Sequence, residues 1–259
     1  MPSWQAFSDE VTRWRDAGRT ADLWWRDDDA ADGGPSLGQL VGLHRQTGVP
    51  LALAVIPVQA REGLVDCVAG EAGIDLLQHG YAHINHAPQS EKRMELGAHR
   101  PAMLVLGELG TGWLVMERLF AGRALPVLVP PWNRIAPALV PTLPEIGFRG
   151  LSTFGPRRAQ PLRGLREVNT HVDLLDWKSR RGFVGEGMAL DALVTALVRA
   201  RTGLNEPVGI LSHHLAMDAE AWDFLRSMWE KALTMPGLRL RPARELFADI
   251  PSATGEARG

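Results

Sequence analysis

The chain reads as an α/β protein whose parallel strands close into a barrel, and two observations carry that reading. Short runs rich in Val, Leu and Ile alternate with longer amphipathic segments through most of the 259 residues, the order of strand, crossover helix and next parallel strand. About seven such units follow one another, which suits a closed barrel better than an open doubly wound sheet. No Gly-x-Gly-x-x-Gly turn follows the first run and no phosphate-cradling loop ends in Lys-Ser or Lys-Thr, so nucleotide binding has no support.

Taken in order, Trp4, Phe7, Val11 and Trp14 are spaced for an amphipathic helix and do not form a signal-peptide core. Strands are predicted at Leu23–Arg26, Leu51–Ile56, Ile74–Gln78, Pro126–Val129, Phe148–Thr153, Glu167–Asp173 and Val208–Ser212. Helices are predicted at Ser36–Gln46, Glu91–Phe120 with interruptions at its glycines, Met188–Arg201 and Ala219–Leu233. Residues 1–250 form one catalytic domain, and the small, polar tail 251–259 is expected to fray.

A formal net charge of -2 with scattered basic residues gives no footprint for nucleic acid or an anionic membrane. No apolar stretch is long enough to span a bilayer, and the chain reads as cytoplasmic. Cys67 is the only cysteine, so there is no disulfide framework and no thiolate zinc cage. A metal would be held by His and carboxylate. Oligomeric state has no sequence signal.

Four predicted strand ends carry chemistry. Asp27, Asp28 and Asp29 follow the first apolar run; alone they read as a solvated acidic turn, whereas one could bind a cation while its neighbour acts as a base. His79 and His83 share a face if the strand turns into a helix after His79, and with one carboxylate they make a three-ligand site with open positions. Pro130 and Pro131 offer no N–H, so Trp132 is the first donor of its turn, available to an oxyanion or simply packed for stability. At Ser212-His213-His214, period-two alternation sends only one imidazole to the barrel mouth. Upstream, the Asp173-Leu174-Leu175-Asp176-Trp177 segment supplies a carboxylate to orient it, unless this is a plain acidic strand exit.

From Trp25 to His213 these elements occur in the order of, and the chain resembles, the NodB-homology polysaccharide deacetylases of carbohydrate esterase family four. The resemblance implies a distorted (β/α)7 barrel, with Asp28 as catalytic base and Asp29, His79 and His83 as metal ligands; a register shifted to Asp27 and Asp28 is the alternative. It further implies Trp132 as oxyanion donor, Asp176 tuning the general acid His213, and Trp177 and Leu211 lining the acetyl pocket. Two departures stand out: Gly80 replaces the usual hydroxyl, and Val129 replaces the arginine that holds the base, so that Arg26 or Arg134 would have to substitute. Asp27 is left as an ordinary residue facing Arg26 or Arg134.

The expected function is a metal-dependent hydrolase, a deacetylase of an N- or O-acetylated sugar or glycan, with one divalent ion, zinc on ligand type. The alternatives are hydrolysis of another C–N bond in a small cytoplasmic amide or ureide, and a catalytically silent carbohydrate binder.

Overall fold

The apolar runs of the sequence become the strands of one curled parallel sheet in the computed structural model, which describes residues 3–179 and 182–248. The tail assigned to 251–259 lies outside the described residues. The chain begins with helix α1 (Trp4–Asp16), capped by the Ser3 hydroxyl, and continues through β1 (Ala21–Ala30), α2 (Pro35–Thr47), β2 (Leu51–Val55), α3 (Glu62–Val68) and β3 (Ile74–His79). After a long loop come α4 (Ala102–Phe120), β4 (Ala124–Val129), short 3-10 turns, β5 (Gly150–Leu151), β6 (Arg166–Glu167) and β7 (Thr170–Asp173). A small hairpin, β8 (Leu175–Asp176) with β9 (Gly182–Phe183), precedes α5 (Glu186–Thr202), β10 (Val208–Ser212), α6 (Ala219–Thr234), β11 (Leu238–Leu240) and α7 (Ala243–Leu246).

The strand order β6-β5-β4-β3-β2-β1-β10-β7 closes on itself. β6 and β7 are two halves of the single strand expected over Glu167–Asp173: the first pairs with β5, the second with β10. Between them, the Val168 N–H donates to Leu151 O and the Thr170 N–H to Thr153 O. These pairings give the (β/α)7 barrel, distorted where its shortest strands meet.

Alternation along each strand sorts the core into two layers. Inside the barrel, Trp24, Ala52, Ala54, Leu77, Val127 and Val129 pack with α7, whose Leu246 and neighbouring Phe247 join the same cluster. Leu23, Trp25, Leu51, Leu53 and Leu76 belong to the larger cluster beneath the helices, with Phe7, Val11 and Trp14 of α1. Among the described residues, no helix is long and apolar enough to cross a membrane.

Two expectations need correction. The helix expected over Glu91–Phe120 starts at Ala102, directly after Pro101, and residues 91–100 are loop and turn. Proline suits a helix start because it lacks the N–H that the first turn leaves unpaired. The predicted strand Phe148–Thr153 shrinks to two residues, Gly150 and Leu151.

Candidate active site

β1 runs through the aspartate triplet instead of ending before it. Trp24, Arg26 and Asp28 share its inner face, and the Arg26 guanidinium therefore lies against the Asp28 carboxylate. Its Nε donates to Oδ1 at 2.8 Å and Nη2 to Oδ2 at 3.0 Å, with both side chains essentially inaccessible. Arg26 also donates across the barrel to Ser152 Oγ (2.6 Å), Asn133 Oδ1 (2.7 Å) and the Thr153 carbonyl (3.3 Å). The charge on Asp28 is thus neutralised by a bidentate partner fixed at the ends of two other strands.

Strict alternation would turn Asp29 away from this face, and a bulge prevents it. Asp27 pairs with Leu53 and Ala30 with Val55, so β1 holds one residue more than β2 over this stretch. Asp29 takes the extra turn in the left-handed region, φ 73°. Its carboxylate reaches two imidazoles: Oδ1 is 3.1 Å from His79 Nε2 and 3.2 Å from His83 Nε2. Burial pushes the Asp29 carboxyl up, but the His79 hydrogen bond and the charges of His79, His213 and His83 outweigh it and hold the group below the usual carboxylate range.

His79 and His83 do not share a helix. The chain turns at Gly80 (φ 57°) and again at His83 (φ 58°), and residues 80–84 wrap around one buried carboxylate, Glu95. Glu95 accepts from the backbone N–H groups of Tyr81 (3.1 Å), Ala82 (2.8 Å) and Ile84 (3.5 Å). A Cβ at position 80 would collide with that carboxylate and with Pro131, which accounts for the glycine where the family has a hydroxyl residue. The His79 Nδ1 faces the Val129 carbonyl at 3.0 Å. A carbonyl only accepts, so Nδ1 carries a proton and Nε2 is the ring nitrogen that faces Asp29 and the site, free to ligate a cation once its own proton is lost. Burial opposes charge on His79, but Asp28 and Asp29 raise its pKa overall, while burial and then the charge of His79 lower that of His83. One carboxylate and two imidazoles, with ligand atoms within 4.8 Å of one another, form a donor set that fits a divalent cation.

Trp132 adopts φ 55°, ψ 19°, a costly conformation for a bulky residue, and its ring lies 4.4 Å from that of His83. From the other side of the mouth, His213 points inward and His214 outward, as alternation requires. The His213 Nδ1 lies 3.8 Å from Asp173 Oδ1, and the Trp177 ring stands edge-on to it at 4.8 Å. Asp173 also accepts from the Leu175 N–H and Trp177 Nε1 at 3.0 Å each. Burial raises the Asp173 pKa against the pull of His213.

Asp28, Asp29, His79, His83, Trp132, Asp173, Trp177 and His213 all line one cleft of ≈ 780 Å³. Two expected residues do not. Asp176 accepts from the Lys178 and Ser179 N–H groups within its own turn, so the carboxylate beside His213 is Asp173. Leu211 is fully buried. Asp27 also departs from expectation: it is fully buried, on the opposite face from Arg26. It accepts from Ser212 Oγ (2.6 Å), the His214 N–H (3.0 Å) and His214 Nδ1 (2.5 Å). Burial works against charge on His214, and Asp27 more than offsets it, so the pKa rises, and the contact ties β1 to β10. Sequence reasoning missed this pair and Glu95. Only the period-two phase of the two strands hints at the pair, and no spacing points to Glu95.

The fold is similar to that of solved polysaccharide deacetylases and family 4 carbohydrate esterases. No family model and no curated protein sequence matches the chain. Among solved structures it is similar to a candidate polysaccharide deacetylase from Mycobacterium smegmatis, with 14% identity over 90% of this chain and 91% of that one and a TM-score of 0.66. Peptidoglycan deacetylase PdaC from Bacillus subtilis follows at 14% identity, 88% and 90% coverage and a TM-score of 0.55. A family 4 acetyl xylan esterase from Clostridium thermocellum, in complex with a cobalt ion, gives 12% identity, 89% and 93% coverage and a TM-score of 0.55. Identities this low establish the fold and leave the activity to the chemistry of the site.

Proposed function

We propose that the chain is a metal-dependent hydrolase that removes an acetyl group from an N- or O-acetylated carbohydrate. The observation that carries this reading is the convergence of Asp29, His79 and His83 beside an Asp28 locked by Arg26, with His213 facing them from the other wall. A divalent ion on those three ligands, zinc on donor chemistry, would supply Lewis acidity toward the acetyl carbonyl and acidify water.

The chain's own residues do the rest. Asp28, oriented by Arg26, takes a proton from water as the water oxygen bonds the acetyl carbon. The Trp132 N–H, the first donor after two prolines, stabilises the oxygen on which charge develops. His213, steered by Asp173 and walled by Trp177, gives a proton to the departing sugar nitrogen or oxygen as its bond to the acetyl carbon breaks. The products are acetate and a free amine or hydroxyl. Arg26 takes the part of the arginine that Val129 replaces, and Asp173 takes the tuning part expected of Asp176.

The test pairs metal analysis with acetate release from a panel of acetylated sugars and glycans. One equivalent of divalent ion, with turnover abolished by chelation and by Asp28→Asn, supports the assignment. Metal-replete protein that frees no acetate from any of them overturns it.

A further inference from the structure

We infer that the acetylated sugar this cleft accepts is anionic, carrying a phosphate or carboxylate beside the acetyl group. The inference rests on the deacetylase reading for the acetyl group and on the cleft's cations for the anion.

The same cleft is also lined by Arg93, Arg134 and Lys178. Of its three carboxylates, Asp28 is paired with Arg26, Asp29 faces the two imidazoles, and Asp173 accepts from Leu175 and Trp177 and lies 3.8 Å from His213 Nδ1. Among the described residues no carboxylate lies within ion-pair distance of Arg93, Arg134 or Lys178, so none of the three is held by a salt bridge as Arg45 is by Glu71 or Arg239 by Asp22. Counted with Arg26, the walls carry four cationic side chains against three carboxylates, a net charge of +1 before any metal binds, in a chain whose formal net charge is -2.

The cations are also placed around the reacting group. Arg134 lies two residues beyond Trp132, and its Nη1 is steadied by the Arg93 carbonyl at 2.8 Å. Lys178 follows Trp177, which stands against His213 on the other side. A substrate seated between His83 and His213 thus meets a cationic side chain of the cleft wall on either flank, Arg134 near Trp132 and Lys178 near Trp177. A guanidinium pairs equally well with phosphate and carboxylate, so the structure assigns the charge of the ligand and not which of the two groups bears it.

The experiment measures acetate release and calorimetric binding on metal-loaded wild type, Arg134→Gln, Lys178→Gln and the double variant. Substrates are N-acetylglucosamine, its 6-phosphate and 1-phosphate, and N-acetylmuramic acid; binding uses glucosamine and glucosamine 6-phosphate, with and without chelator. Expected are kcat/KM values about tenfold or more higher for at least one anionic substrate than for the neutral sugar, a preference that shrinks about tenfold per cation removed and falls with added salt. The phosphate and carboxylate arms identify the source of the charge. Equal kcat/KM for neutral and anionic substrates, an unchanged preference in the double variant, or an anion preference that vanishes on chelation would overturn the inference. If no substrate releases acetate, the deacetylase reading fails while the binding arm still decides the anion site.

Discussion

Removing the Arg26 guanidinium probes both the architecture and the proposed chemistry. Arg26→Gln deletes two charge-assisted bonds to Asp28 and leaves that carboxylate buried without its counter-charge, while Ser152, Asn133 and Thr153 lose a donor. Breaking one partner of a buried ion pair costs about 3–5 kcal/mol, chiefly the desolvation of the charge left behind. For a chain of this length that corresponds to a fall of roughly 6–20 °C in Tm. Total stabilities run at about 5–15 kcal/mol, so the variant should still fold at 25 °C. Asp28→Asn in the same background removes the stranded charge. The double variant is therefore expected to be more stable than Arg26→Gln alone, with a coupling energy of about 0.5–3 kcal/mol in a double-mutant cycle. Urea unfolding of the four proteins measures it, with acetate release as the parallel readout. Single-variant losses that simply add, within about 0.5 kcal/mol, would refute the idea that Arg26 holds the base.

Further expectations follow from the same geometry. Asp28→Asn should lower acetate release roughly 10²–10⁴-fold while metal content, measured by elemental analysis, stays at one equivalent. Glu95→Gln loosens the loop that carries His83 and should weaken metal affinity about 10–100-fold in a chelator-competition titration; unchanged affinity would show that the loop orders itself without that carboxylate. Stripping the metal should lower the thermal midpoint, by an amount equivalent to about 2.7 kcal/mol if the ion is normally present at a hundred times its Kd. A proton competes with metal at His79, whose pKa is raised above its ordinary 6.5, so affinity should fall as pH drops through and below that region, by about tenfold per unit for one displaced proton. A flat affinity from pH 8 to 5 would argue against His79 as a ligand.

Much of the architecture was legible in the order of residues because strands and helices are local. Apolar runs located the seven strands of the barrel, and period two separated His213 from His214 once the strand was recognised. His79 and His83 were found by their spacing, although the helix expected to unite them is a turn that glycine and a buried glutamate make possible. Arg26 was one of two candidates for the Asp28 partner, and proximity on one strand face selects it over Arg134.

What could not be read concerns contacts between segments far apart in the chain. Asp29 faces the cleft only because β1 carries one residue more than β2 between two points of register, and register is a relation between strands. Glu95 reaches the loop of residues 80–84 through a fold of the chain with no period. Asp173 stands at His213 and Asp176 does not line the cleft, because β7 lies beside β10 while Asp176 ends β8 in the hairpin that follows. Residue types and alternation are properties of a chain and survive in its order. The orientation of a carboxylate depends on which backbone lies opposite it, and that is settled when the barrel closes.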